Sequence, residues 1–83
     1  MGRAELMDMF RTLATEIAER DLSHVEEGDA IADLGIDSLA MLELVGTMER
    51  ELSIQVPDEM LVGLKTIREL LQLVERRIQK AAV

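Results

Sequence analysis

Three stretches of the chain repeat apolar residues at helical spacing, and this periodicity restricts the possible folds more than any other feature. They cover residues 4–19, residues 38–51 and the segment that begins at Thr66. Residues with β-branched side chains are scattered rather than clustered, which argues against a sheet. The pattern predicts an all-α fold, a small bundle of three longer helices. Their apolar stripes are Leu6, Met9 or Phe10, Leu13 and Ile17; Met41, Leu44, Val45, Met48 and Leu52; and Ile67, Leu70, Leu71, Val74 and Ile78.

Residues typical of helix ends add one short helix to this prediction. Pro57 is followed by two acidic residues, which suit the first turn of a helix, so a short helix is expected from about Pro57 to Leu61. Gly63 is a plausible stop for it. Thr66 and Glu69 match a capping box and predict the start of the last helix.

Residues 20–37 lack a sustained helical stripe and predict a long loop between the first and second helices. Three apolar residues, Ile31, Leu34 and Ile36, are expected to anchor this loop to the core. The loop exceeds the usual length of a connection, and long loops in compact domains are often functional.

Charge is distributed unevenly along the 83-residue chain, whose formal net charge is −8. We define residues 21–63 as the acidic segment, because it holds eleven acidic residues and one base, Arg50, a net charge of −10. Such a surface repels phosphate, so nucleic acid is not an expected partner. A basic protein surface is the expected partner, although the acidity is also explained if it only keeps a small protein soluble.

Size and composition limit the remaining classes. A chain of this length forms one domain, residues 1–83, and it contains no cysteine, so apolar packing alone must hold the fold. No basic region followed by an apolar run marks a signal peptide, and no stretch approaches the ~18 apolar residues of a membrane span. We therefore expect a cytoplasmic protein without a membrane partner.

The second predicted helix has more apolar residues than its core stripe needs. On a helical wheel, Leu39 and Leu42 fall outside that stripe, near Glu43 and Gly46, and Glu49 lies beside Leu42. Two interpretations remain open. The surplus leucines form a docking face for another protein, or Leu42 packs under the long loop.

Ser38, at the start of this helix, also has two interpretations. A serine is a good N-cap, because its side-chain oxygen accepts a hydrogen bond from an unpaired amide. Asp37 can fill that role instead, which leaves the serine free to carry a phosphate ester at a helix N-terminus that favours negative charge. Catalysis fits poorly, because His24 is the only histidine and no second base is evident to activate Ser38. The spacing of the acidic residues also fails the calcium-loop pattern, so no metal is expected.

The segment DLGIDSLAMLELV, residues 33–45, resembles the modification site of acyl carrier proteins, in which Asp-Ser-Leu follows Leu-Gly-x. The resemblance extends to VPDE at residues 56–59 and to LKTIRELL at residues 64–71. It implies that a phosphopantetheinyl transferase moves 4′-phosphopantetheine from coenzyme A onto Ser38. The thiol of that arm then carries acyl groups as thioesters, and the carrier itself is not an enzyme.

The family resemblance also implies a partner face. Asp37 matches the aspartate that helps transferase recognition, and the second helix carries the docking residues, Leu39, Leu42 and Glu43, with Gly46 and Glu49 beside them. Expected partners are the phosphopantetheinyl transferase and enzymes of the ketosynthase or acyltransferase type with basic docking patches. The carrier itself is expected to be a monomer.

Three positions depart from the pattern of fatty-acid carriers. Ala40 stands where an acidic residue is frequent, Gly46 where methionine is frequent, and Arg50 interrupts a run that is usually acidic. DSLAMLE and LKTIRELL look more like free-standing carriers of aromatic polyketide pathways. We therefore predict a carrier for polyketide or related secondary metabolism. A fatty acid synthesis carrier, a peptidyl or aminoacyl carrier and an unmodified helical adaptor are the alternatives.

Overall fold

The computed structural model describes residues 2–81, which form three α-helices. Helix α1 is Arg3–Ala18, α2 is Ser38–Leu52 and α3 is Ile67–Ala81. Two short 3₁₀ turns, Ile31–Leu34 and Asp58–Leu61, lie in the connections. Within residues 2–81 there is no strand, only an isolated bridge between Ala30 and Thr66. The prediction of an all-α fold is confirmed, and the short helix expected from about Pro57 to Leu61 is a single 3₁₀ turn.

The ends of the helices follow from local hydrogen bonds. The capping box of α3 is confirmed: the amide of Glu69 donates to Thr66 Oγ1 at 3.2 Å, and the amide of Thr66 donates to Glu69 Oε1 at 2.9 Å. The amide of Lys65 donates to the same Glu69 oxygen, and these backbone donors lower the pKa of Glu69. Helix α1 ends one residue earlier than expected, because Glu19 takes a left-handed conformation with φ 56°.

The core is an apolar cluster to which all three helices contribute. Helix α3 supplies five buried residues and α1 supplies four. On α2 the predicted stripe is confirmed, with Leu44, Val45 and Met48 buried and its two outer members half-buried. The side chains with the least exposure are Phe10, Leu6, Leu44, Met48, Ile67, Leu70, Leu71 and Val74.

The long loop is anchored more firmly than its sequence indicated. Of the predicted anchors, Leu34 is buried, whereas Ile31 and Ile36 are half-buried. Two further anchors, Leu22 and Val25, are also buried. Both are held to α1, because Thr15 Oγ1 accepts from the Leu22 amide at 3.0 Å and Arg11 Nε donates to the Val25 carbonyl at 2.9 Å.

The loop is also tied to the start of α3. Three backbone hydrogen bonds of 2.8–3.1 Å connect residues 27–31 with residues 65–68. Arg3 of α1 forms ion pairs with Glu27 of the loop and Glu75 of α3, and Arg68 approaches the same Glu27 at 3.6 Å. We call Arg3, Glu27, Arg68 and Glu75 the Arg3 cluster. The hydrogen bond from Arg3 lowers the pKa of Glu75, while the two carboxylates raise the pKa of Arg3.

Candidate functional site

Ser38 is exposed at the first residue of α2, and the cap of this helix is its neighbour. The Oδ1 atom of Asp37 accepts a hydrogen bond from the Ala40 amide at 2.8 Å, and the backbone of Asp37 is extended. Within residues 2–81 the Ser38 side chain takes part in no hydrogen bond. Of the two interpretations of Ser38, the N-cap is therefore wrong, and the hydroxyl remains available for chemistry.

A turn at Gly35 precedes Asp37 and Ser38. The first 3₁₀ turn ends at Gly35, whose φ of 73° lies in the left-handed region that glycine adopts without strain. The guanidinium of Arg20 also packs against this glycine, because a Cβ atom there would lie 2.7 Å from Arg20 Nη2. Conformation and space both favour glycine, so the turn before Asp37 and Ser38 is fixed by this residue.

An open groove of about 360 Å³ runs beside Ser38. One wall comes from the long loop and α2, the other from the second 3₁₀ turn. Its apolar lining residues are Ile31, Ile36, Met41, Leu42, Leu61 and Val62, and its polar ones are Asp37, Ser38 and Asp58. The candidate attachment position thus lies at the edge of an apolar surface that carries acidic residues at its margin.

The predicted docking residues of α2 occupy two environments. Leu39 is 78% exposed and Glu43 is exposed, whereas Gly46 is half-buried. Leu42 is 41% exposed, so the loop does not cover it, and it lines the groove together with Ile31 and Ile36 of the loop. Its role in docking stays a prediction.

Sequence analysis missed two exposed apolar residues around the second 3₁₀ turn. Met60 and Val62, in and after the second 3₁₀ turn, are 41% and 83% exposed. Their signal in the sequence is weak, because a four-residue turn has no periodicity that separates a core face from an outer face. Val62 extends the apolar surface of the groove beyond α2.

Glu49 has a structural contact that its sequence position did not reveal. Its Oε2 atom accepts a hydrogen bond from the Val56 amide at 2.7 Å, and the residue is half-buried. This bond holds the link that runs from α2 to the second 3₁₀ turn. A role for Glu49 in partner recognition stays a prediction.

Among residues 2–81, no group of three or more His, Asp or Glu side chains is arranged to hold a metal ion. None of the helices in that range is long and apolar enough to cross a membrane.

The fold agrees with comparisons to known proteins. Residues 8–74 match the family model described as a phosphopantetheine attachment site. The chain therefore belongs to the phosphopantetheine-binding family of acyl carrier proteins, as its sequence predicted. Members of this family carry a covalently attached 4′-phosphopantetheine, and they are carriers rather than enzymes.

The chain is similar to particular acyl carrier proteins from bacteria. It is 30% identical to the anthracycline acyl carrier protein DpsG of Streptomyces peucetius, over 99% of this chain and 100% of the relative. It is 38% identical to an acyl carrier protein of Arthrobacter sp., over 80% of this chain and 74% of the relative. The crystal structure of an acyl carrier protein from Thermotoga maritima, 26% identical, superposes with a TM-score of 0.87 over 95% of this chain and 93% of the other. Such carriers work with phosphopantetheinyl transferases and synthase enzymes.

Proposed function

We propose that residues 1–83 act as one carrier domain that holds acyl intermediates on a 4′-phosphopantetheine arm at Ser38 for a polyketide or related secondary-metabolism pathway. The main support for this attachment site is that Asp37, and not Ser38, caps α2. Because the Asp37 carboxylate caps α2, the exposed Ser38 hydroxyl is free for modification. When bound, the arm supplies a thiol that holds acyl groups as thioesters.

The surroundings of Ser38 suit this role. The N-terminus of α2 favours a negatively charged group, because its amides and its dipole point toward it. The exposed hydroxyl lies at the edge of the groove, with no side chain of residues 2–81 hydrogen-bonded to it. A transferase can therefore approach Ser38 without disturbing the core.

Intact mass spectrometry tests the attachment site. The chain is incubated with coenzyme A and a broad-specificity phosphopantetheinyl transferase, and we expect it to gain the mass of one phosphopantetheine. Ser38→Ala should keep the helical circular dichroism spectrum and gain no mass, whereas the matched controls Ser23→Ala and Ser53→Ala should gain it. Attachment to Ser38→Ala, or mapping of the arm to Ser23 or Ser53, would contradict the proposal.

The pathway rests on different observations. The identity with an anthracycline carrier extends over nearly the whole chain. In addition, Ala40 and Arg50 make α2 less negative than the pattern of fatty-acid carriers. A carrier for fatty acid synthesis is the second candidate, because the higher identity, 38%, is with an acyl carrier protein whose name gives no polyketide pathway.

Kinetic assays separate these candidates. The carrier and an established fatty-acid carrier are loaded with the same acyl group and offered to a bacterial fatty-acid ketosynthase. We expect a lower kcat/KM for this carrier, and we expect Ala40→Asp combined with Arg50→Glu to raise it. If the kcat/KM measured with the wild-type chain already equals that of the fatty-acid carrier, the assignment to a polyketide pathway loses its support.

Docking through α2 has its own test. Rim charges mainly set the rate of association, and buried apolar anchors mainly set the rate of dissociation. Glu43→Lys should therefore slow association with the transferase, more strongly at low salt, whereas Leu42→Ala should mainly speed dissociation. Glu16→Lys on the exposed face of α1 is the matched charge control. An equal effect of Glu16→Lys and Glu43→Lys on association would show general charge attraction instead of docking on α2.

A further inference from the structure

The exposed side of α2 changes the sign of its charge along the helix. Leu39, Glu43, Gly46 and Arg50 follow one another at spacings of four, three and four residues, so they share one stripe on the side opposite the buried residues. The stripe begins with an apolar residue beside Ser38, continues with an acid and ends with the single base of the acidic segment.

Arg50 does not extend away from the helix. Its Nη2 atom donates to Thr47 Oγ1 at 3.2 Å, and its Nη1 atom lies 3.9 Å from the position that a Cβ atom on Gly46 would occupy. Thr47 in turn donates its hydroxyl to the Glu43 carbonyl at 3.0 Å. The guanidinium is thus folded back toward Gly46 and held there by Thr47.

This positive charge is not neutralised by the neighbouring acids. Arg50 forms no ion pair with any carboxylate of residues 2–81. The carboxylate of Glu49 is engaged by the Val56 amide, and Glu51 lines a different groove, between α2 and α1. An exposed guanidinium therefore lies on the predicted docking face with its charge available to a partner.

We propose that Arg50 determines which synthase enzymes use this carrier, by pairing with a carboxylate that such enzymes present beside their basic patch. The proposal rests on the carrier function proposed above and adds the chemistry of the partner. Like charges that meet across an interface repel each other, so an enzyme whose docking surface is basic throughout is disfavoured. From the helical rise, the partner's carboxylate should lie about 5 to 10 Å along the α2 axis from the base that meets Glu43.

The test uses the holo carrier, loaded with one acyl group, and two ketosynthases. One is a polyketide ketosynthase that accepts the wild-type carrier, and the other is a bacterial fatty-acid ketosynthase. Arg50→Glu should lower kcat/KM about three- to tenfold with the first enzyme and raise it by a similar factor with the second, both effects shrinking as salt is added. Arg50→Lys keeps the charge and should stay within about twofold of the wild type.

Two controls make the outcome specific. Arg76→Glu makes the same charge change on the exposed surface of α3 and should alter neither enzyme's kcat/KM by more than about twofold. Replacing the facing acid of the polyketide ketosynthase by lysine should restore activity with the Arg50→Glu carrier. Thermal melting of each variant checks that the fold is intact.

The outcomes separate this proposal from the one on which it rests. If Arg50→Glu leaves kcat/KM with the polyketide ketosynthase unchanged or raises it, the role of Arg50 is overturned while the carrier function stands. The same holds if no acid on that enzyme restores activity. If no polyketide ketosynthase accepts the loaded wild-type carrier, the assignment of the carrier to a polyketide pathway fails instead.

Discussion

The long loop and the first turn of α2 meet at Asp37, and they differ in the exposure of their apolar side chains. In the loop, Leu22, Val25 and Leu34 are buried, and the backbone is hydrogen-bonded to α1 and α3. Just beyond Asp37, Leu39 projects into solvent, and Val62 does the same across the groove. The anchored loop before Ser38 thus fixes its position, whereas Leu39 and Val62 remain exposed.

The largest expected effect comes from two leucines on either side of Asp37. Leu34 is 3% exposed and Leu39 is 78% exposed. Leu34→Ala should lower the free energy of unfolding by about 2–5 kcal/mol, because it leaves a cavity under the loop. Leu39→Ala should change it by less than about 0.5 kcal/mol. Urea unfolding measures both changes in stability. In transferase kinetics the order of the two effects should be reversed, because only Leu39→Ala should lower kcat/KM in a carrier that is fully folded. Equal losses of stability would erase the distinction between the two regions.

Two glycines give the next contrast. Gly35→Ala should cost about 1–2 kcal/mol, because alanine is strained at a positive φ and Arg20 must also move. Gly46→Ala should raise the free energy of unfolding by about 1 kcal/mol, because Gly46 lies inside α2 and its added Cβ makes only an ordinary contact with Arg50. Thermal and urea unfolding provide the measurement. A loss of stability in Gly46→Ala would mean that the exposed stripe of α2 is packed more tightly than the structure shows.

A smaller effect concerns the Arg3 cluster, which ties the loop to both terminal helices. The pKa of Glu75 in the folded protein is lowered from its ordinary value of 4.5, chiefly by the hydrogen bond from Arg3. The stabilisation is therefore fully present above pH 4.5 and is lost as the pH falls through the lower, folded-state pKa.

Unfolding curves between pH 3 and pH 7 test this dependence, with those pH limits set roughly by the pKa range of carboxylates. Glu75→Gln should be less stable than the wild type at neutral pH, and the difference should shrink below about pH 4.5 as the wild-type carboxylate becomes protonated. Glu16→Gln, which removes an exposed carboxylate without an ion pair to residues 2–81, is the control. A constant difference between wild type and Glu75→Gln across this range would contradict the assignment.

The smallest expected effect is the response to salt. Of the eleven acids in the acidic segment, only Glu26 and Glu27 form ion pairs within residues 2–81. Repulsion among the others should limit stability at low salt, so added salt or divalent cations should raise the melting temperature as the Debye length falls from ~30 Å at 0.01 M to ~3 Å at 1 M. Asp33→Asn should reduce this response. A melting temperature that does not change with salt would show that the repulsion is already relieved.

Much of the fold was predictable because it depends on local patterns. The bounds expected for α1 and α2 differ from the observed ones by one residue at each end at most. The apolar stripe of α2 predicted both its buried residues and the exposure of Leu39, because the helical repeat fixes which residues share one face. The capping box at Thr66 was predictable because its two hydrogen bonds join residues only three positions apart.

The remaining features depend on contacts that the sequence pattern does not contain. Leu22 and Val25 lie in a segment without periodicity, so their burial is decided by α1 and not by their neighbours in sequence. The hydrogen bond of Glu49 to the Val56 amide depends on how the chain turns after α2. The position of the Arg50 guanidinium beside Gly46 depends on the rotamer of the Arg50 side chain. Both alter the charge that α2 presents, so the exposure of Leu39 and Glu43 was predictable from the sequence, whereas the electrostatics of this surface was not.

The cap on α2 has a consequence for the working life of the protein. The Asp37 carboxylate holds the start of the helix through the Ala40 amide, whatever the neighbouring hydroxyl carries. The start of α2 therefore does not depend on the arm for its hydrogen bonding. A phosphate ester on Ser38 would interact with the positive end of the helix only while the helix is folded. Chains that have not yet received the arm should then be fully folded, and chains that carry it should be slightly more stable.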